Sequence, residues 1–121
     1  MEKTIVTVLG IVFVAIGLLG FVTEPILGIF AVDPMHNIIH LLSGVLGLAA
    51  VAMGAGATRT YARVFGVLYA LVAVVGLFTT GDMLLGLFAV NFADDLLHVV
   101  LAVLLLYVGF ASRPATEAPA M

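Results

Sequence analysis

The sequence predicts an all-α fold: a polytopic integral membrane four-helix bundle made of two tandem, parallel-oriented helical hairpin repeats. Three observations carry this. Hydrophobic residues form 64% of the 121-residue chain and charged residues 9%, which leaves too little polar surface to cover a soluble domain of this size. Four apolar stretches follow one another, each close to the roughly 20 helical residues that cross a hydrocarbon core of about 30 Å. One stretch also occurs twice, 58 residues apart: L-G-I-F-A-V-D-P-M-H-N-I-I-H returns as L-G-L-F-A-V-N-F-A-D-D-L-L-H. Leu27, Gly28, Phe30, Ala31 and Val32 recur as Leu85, Gly86, Phe88, Ala89 and Val90, and His40 recurs as His98.

The first helix is expected over residues 4–22, an uncharged apolar run ended by Thr23-Glu24-Pro25. Lys3 followed by an apolar run also fits a signal peptide. Against that, Gly10, Phe13 and Gly20 have counterparts 56 residues later in Gly66, Tyr69 and Gly76, and an element that recurs inside the chain belongs to the fold. The heptapeptide 26–32 is too short to span and is expected as an interfacial or partly re-entrant segment. Asp33-Pro34 then reads as N-cap and first helical residue of a second helix over about 34–54. Gly54-Ala55-Gly56 and Thr58-Arg59-Thr60 are expected as a turn, and the third helix over about 61–79. The heptapeptide returns at 84–90, Asn91 is the second N-cap, and the fourth helix covers about 92–111. A single transmembrane domain over 1–111 results, with repeats at about 4–54 and 61–111 and a disordered cytoplasmic tail at 112–121.

Each repeat crosses twice, so both copies share one orientation and their pseudo-two-fold axis runs along the membrane normal. Lys3, Arg59, Arg63 and Arg113 all fall on the side of the termini, whereas Glu24, Asp33, Asp82, Asp94 and Asp95 fall on the other. Positive residues stay inside, which places both termini in the cytoplasm, the chain in a bacterial plasma (inner) membrane, and the histidines near the outer surface. Without cysteine there is no thiolate nucleophile, Cys-ligated zinc or iron–sulfur cluster. A net charge of −3 with four scattered basic residues argues against nucleic acid as a partner. No charge lies in the middle of a span, where a proton relay or ion pathway would leave one.

With H-N-I-I-H-L-L-S-G and A-D-D-L-L-H, preceded by L-G-I-F-A-V-D-P and L-G-L-F-A-V-N, the sequence resembles small four-helix bacterial membrane proteins catalogued as a domain of unknown function (number 4383). The resemblance covers about residues 8–110 and implies the four-helix fold without implying an activity. The family's first copy reads N-P-x-H-N-x-x-H and its second N-x-A-D-N-x-x-H. Here Asp33 replaces the first Asn, and Asp95 replaces the Asn that follows the acidic residue.

All three histidines lie in the repeated stretch. His36 and His40 are four apart, as are Asp94 and His98, so each pair shares a helix face with Cβ atoms about 6 Å apart. The repeat would bring the pairs to equal depth, where His36, His40, Asp94 and His98 form a plausible tetrahedral set for zinc or copper. Asp95, next to Asp94, is placed to orient an imidazole N–H. Two other readings compete. The histidines can bridge helices by hydrogen bonds and anchor the heptapeptides. Alternatively, His40 and His98 can be axial ligands of a haem or another porphyrin, with Gly44 and Ala102 making room for it. Asp33 and Asn91 read as caps, and Asp94 doubles as a favourable acid at the third helical position. No nucleophile–base pair or phosphate loop is visible. The leading expectation is therefore a non-enzymatic accessory or scaffold subunit, acting through helix contacts within the lipid bilayer as a homo-oligomer or part of a larger membrane complex. Binding of a metal or pigment is the alternative.

Overall fold

The structure is a computed structural model that describes residues 1–111. The tail expected to be disordered, 112–121, lies outside the described residues, and Arg113 with it. Four helices follow in order: α1 (Glu2–Leu19), α2 (Pro34–Met53), α3 (Ala55–Leu77) and α4 (Phe92–Leu106). A π-helical turn, Tyr107–Ala111, prolongs α4. All four are long and apolar enough to cross a membrane, α4 together with its π turn.

The distribution of polarity is inside-out relative to a soluble domain. His36, Asn37, His40, Ser43, Thr58, Asp94, Asp95 and His98 are buried, while Ile11, Leu18, Leu42, Leu71 and Val103 are each more than half exposed. Water would reward the opposite arrangement; a hydrocarbon solvent rewards this one. The chain is a multi-pass membrane protein.

Helix boundaries differ from the sequence expectation where local chemistry overrides hydropathy. α1 starts at Glu2, not Thr4, because the Glu2 carboxylate is buried beside Arg59 at 3.9 Å. It stops at Leu19, not Val22: Phe21 and Val22 donate to the carbonyls three residues back, which tightens the last turn. The turn expected over residues 54–60 is a single residue. Gly54 adopts φ +122°, closed to residues with a Cβ, and both ends α2 and begins α3. Thr58-Arg59-Thr60 is helical, because the Thr58 hydroxyl donates to the Gly54 carbonyl at 2.7 Å and keeps its polarity within the helix.

The heptapeptides hold the largest surprise. Both fold as tight β-turn hairpins. Met83–Leu84 (β1) pairs antiparallel with Phe88–Ala89 (β2), and Leu87 N–H donates to the Leu84 carbonyl at 2.8 Å. In the first copy Ile26 and Phe30 form the corresponding bridge, and Ile29 N–H donates to the Ile26 carbonyl at 3.0 Å. The turn residues Leu27 and Gly28 have φ 54° and 71°; Leu85 and Gly86 have φ 51° and 71°. Two consecutive positive φ values define the turn that matches strand twist, although its usual Asn-Gly is here Leu-Gly. Hairpin bonding satisfies the backbone within a segment too short to span.

The contacts along the helices fix their directions. Gly20, just past the end of α1, and Gly17 and Gly10 within it approach Asn37, Leu41 and Gly44 of α2, so the pair is antiparallel. Gly76 and Gly66 of α3 approach Asp95 and Leu106 of α4 in the same sense. The core runs through the middle as Val6, Leu9, Phe13, Tyr61, Ala62, Tyr69, Leu101 and Leu105. Above it, Leu84, Phe88 and Val90 seat the second hairpin against Ile39, Val72 and Val75.

Candidate functional site

The first turns of α2 and α4 build the site. Asp33 is extended (φ −144°) and its Oδ1 accepts from His36 N–H at 2.9 Å, with Pro34 opening the helix as expected. Asn91 caps α4 in the same way, accepting from Asp94 N–H at 2.9 Å. Each cap also reaches the other half. Asp33 Oδ2 accepts from Ala89 N–H in the second hairpin at 2.9 Å, and Asn91 Nδ2 donates to the Ile29 carbonyl in the first hairpin at 2.7 Å. These crossed bonds tie the start of each helix to the hairpin of the other half.

His36, His40 and His98 converge. One ring nitrogen from each lies within 4.8 Å of the others, and all three side chains are buried. Ring centroids are 4.4 Å apart for His36 and His40, 5.6 Å for His36 and His98, and 6.4 Å for His40 and His98. Aromatic walls hold the rings: Phe88 at 4.9 Å from His36, Phe13 at 6.0 Å from His40, and Tyr69 at 5.8 Å from His98. Both nitrogens of His36, both of His40 and Nδ1 of His98 lack a hydrogen-bond partner among the described residues. Leaving a buried donor unsatisfied costs about 1–3 kcal/mol, so the cluster is expensive unless something else binds it.

Asp94 does not join the three. Its Oδ2 accepts from Asn91 N–H at 3.0 Å, completing a capping box at the start of α4. Asp95 does not orient an imidazole either: its carboxylate packs against Gly76 of α3, with Oδ1 unpartnered, and Asn37 packs against Gly20 in the same manner. Nor do His36 and His40 bridge helices by hydrogen bonds among the described residues, since all four of their ring nitrogens are unpartnered. Gly44, expected to make room for a porphyrin, faces α1 instead. A Cβ on Gly44 would meet the Gly10 carbonyl and Val14 of α1 at 2.7 Å, so that small residue serves helix packing. His36 itself stands against both His40 and His98.

Two cavities flank the cluster. The larger, about 180 Å³, is lined by the three histidines together with Ser43, Tyr69 and Phe88 among others. The smaller, about 90 Å³, is lined by His40 and Asp94 beneath Phe30 and Ile26. Ser43, Tyr69 and Phe88 were not singled out from the sequence. A signal for two of them was there: Tyr69 stands where the first copy has Phe13, and Ser43 stands where the second copy has Leu101. The Ser43 and Tyr69 hydroxyls lie 2.8 Å apart, and Tyr61 donates to the Ser43 carbonyl at 2.6 Å.

A family model described as "Domain of unknown function (DUF4383)" matches residues 3–111. The chain belongs to the DUF4383 family. No curated protein and no solved structure matches it. The match runs from the start of α1 to the end of the π turn, so the cluster, both hairpins and both caps of this DUF4383 protein lie inside the matched region.

Proposed function

We propose that this chain is a metal-binding membrane protein that holds a borderline divalent ion, zinc or copper, on His36, His40 and His98. One observation carries the reading: three buried imidazoles converge with their ring nitrogens within 4.8 Å and almost none of them hydrogen-bonded. Imidazole suits both ions, and the chain has no cysteine to favour a thiolate metal. In a tetrahedral site with bonds of about 2.1 Å the nitrogens stand about 3.4 Å apart, so ring rotations of about an ångström close the set. Placing a cation near two helix N-termini costs about 0.3–1 kcal/mol at each, far less than three unsatisfied imidazoles. Metal analysis of the full chain purified in mild detergent tests this. Stoichiometric zinc or copper in the wild type, lost in His40→Ala and His98→Ala with helicity retained, is the expected result. Substoichiometric metal in wild-type protein after loading refutes it.

The chain is read as two parallel tandem repeats in a bacterial plasma membrane, with cytoplasmic termini and the metal centre near the outer surface. The recurrence of hairpin, positive-φ pair and extended cap at one sequence offset supports the repeat. Orientation is supported by Lys3, Arg59 and Arg63 lying towards the end of the bundle opposite the histidines. Leu27 and Leu85, 74% and 72% exposed at the turn tips, suit an interfacial depth. Labelling of single cysteines at Ser112 and Asp82 checks it: access from outside at Asp82 only is expected.

A second reading, a non-enzymatic accessory or scaffold subunit, is supported by the apolar outer faces of all four helices, which lipid or another helix covers equally well. A strict monomer in detergent with no partner co-purifying from native membranes counts against it.

A further inference from the structure

We propose that the three-histidine centre keeps its fourth coordination position open to the 180 Å³ cavity and takes there a small exogenous donor, a water exchangeable for a small anion. The inference rests on the metal reading above. Structural zinc sites close with four protein ligands, whereas three protein ligands and a free position mark sites that bind or process something else. This chain supplies three. Asp94, the carboxylate that spacing offered as a fourth ligand, lines the smaller cavity instead and is held by the Asn91 backbone at 3.0 Å.

The larger cavity has the features such a position needs. All three histidines line it, and no acidic residue does. Its other polar lining is the pair of hydroxyls on Ser43 and Tyr69. Proton counting sets their direction. Ser43 has one hydroxyl proton and donates it to the Ile39 carbonyl at 2.8 Å, so Tyr69 is the donor in the 2.8 Å contact between them. The phenolic oxygen of Tyr69 thereby keeps an acceptor site, which a metal-bound water can use. The remaining wall, including Phe65, Leu68 and Val72, is apolar. A dry cavity of about 150 Å³ is enough for one benzene ring, so this one admits a small molecule and excludes anything of macrocycle size. Leu68 is also 48% exposed on the outside of α3, so one side chain separates the cavity from the surroundings of the bundle.

The test uses the full-length protein in detergent, loaded with Co(II) as a spectroscopic stand-in for zinc and titrated with azide. A saturable change in the visible spectrum with cobalt content unchanged is expected. Val72→Phe, which fills the cavity without replacing a ligand, should keep its cobalt and weaken the azide response about tenfold or more. Asp94→Asn should keep both. Cobalt bound with a spectrum that azide leaves unmoved overturns the open position, as does loss of cobalt in Asp94→Asn with the bundle folded. Failure of the wild type to take up cobalt at all refutes the metal reading itself, so the two failures are distinguishable.

Discussion

The two cavities beside the histidines are lined by residues that stand 56 or 58 positions apart in the sequence, yet they differ in size and chemistry. Phe88, His36, Ile39, His98 and Val72 line the larger one; Phe30, Asp94, Leu97, His40 and Ile16 line the smaller. The decisive difference is at the third position of α2 and α4. Asp94 turns back and caps its own helix, as an acid at a helix N-terminus should. His36 makes no such bond; its ring faces inward onto His40 and His98. One half thus spends this position on helix stability and the other on a cluster. Two further exchanges add hydroxyls to the larger cavity alone: Ser43 opposite Leu101, and Tyr69 opposite Phe13.

The largest effect is expected from making the halves alike at that position. His36→Asp should weaken metal binding by more than about 100-fold, beyond what loss of an outer-shell partner costs. The same change should leave thermal stability unchanged or raise it, because α2 gains the capping box that α4 already has. Metal titration and thermal unfolding of one preparation check both signs together.

Next in size is the seam between paired helices. Gly44 allows α2 within van der Waals contact of the α1 backbone, while its counterpart between α3 and α4 is Ala102. Gly44→Ala should destabilise by about 1–3 kcal/mol, since the Gly10 carbonyl and the Val14 N–H in the way are backbone and cannot step aside. Ala102→Gly should cost no more than about 1 kcal/mol. Equal losses, measured by denaturation in detergent, would mean that the two seams are equally tight.

The caps differ in a way that reciprocal exchange exposes. Asp33 accepts two hydrogen bonds, one of them from the opposite hairpin; Asn91 accepts one and donates one. Asp33→Asn leaves Ala89 N–H without its acceptor, and Asn91→Asp sets a carboxylate against the Ile29 carbonyl. Each should cost about 1–2 kcal/mol, although each makes one cap match the other. The smallest effect belongs to the turn tips. Leu27→Gly or Leu85→Gly removes a side chain from a positive-φ residue and should change stability by less than about 1 kcal/mol, towards stabilisation in detergent.

Much of the scaffold was legible because it depends on local chemistry. Asp33-Pro34 and Asn91 cap helices whatever lies around them, and the helix starts at Pro34 and Phe92 agree with expectation. The hairpins were hidden because their signal is apolar: the turn uses Leu-Gly where water-exposed turns use Asn-Gly, so the segments read as short hydrophobic runs. The one-residue break at Gly54 was obscured by Thr58 and Arg59, whose polarity is absorbed by the helix and by Glu2 across the bundle. At the site, the four-residue spacing placed His36 and His40 on one face, and the repeat pointed to His98.

By itself, then, the sequence determined the class of solvent, the four apolar helices, the two caps and the residues that carry polarity into the interior. All of these follow from composition and from interactions within a few residues. Tertiary structure alone decided which polar residues meet. Asp94 and His36 each hold the third position of their helix, and spacing made both ligands; but the Asp94 carboxylate is taken by Asn91 N–H, whereas both His36 nitrogens are left unpartnered among the described residues. Asp95, adjacent in sequence to the expected ligand, faces a different helix because about 100° of rotation separates neighbouring residues. The caps cross from one half to the other only in three dimensions, and only there do three histidines share one space.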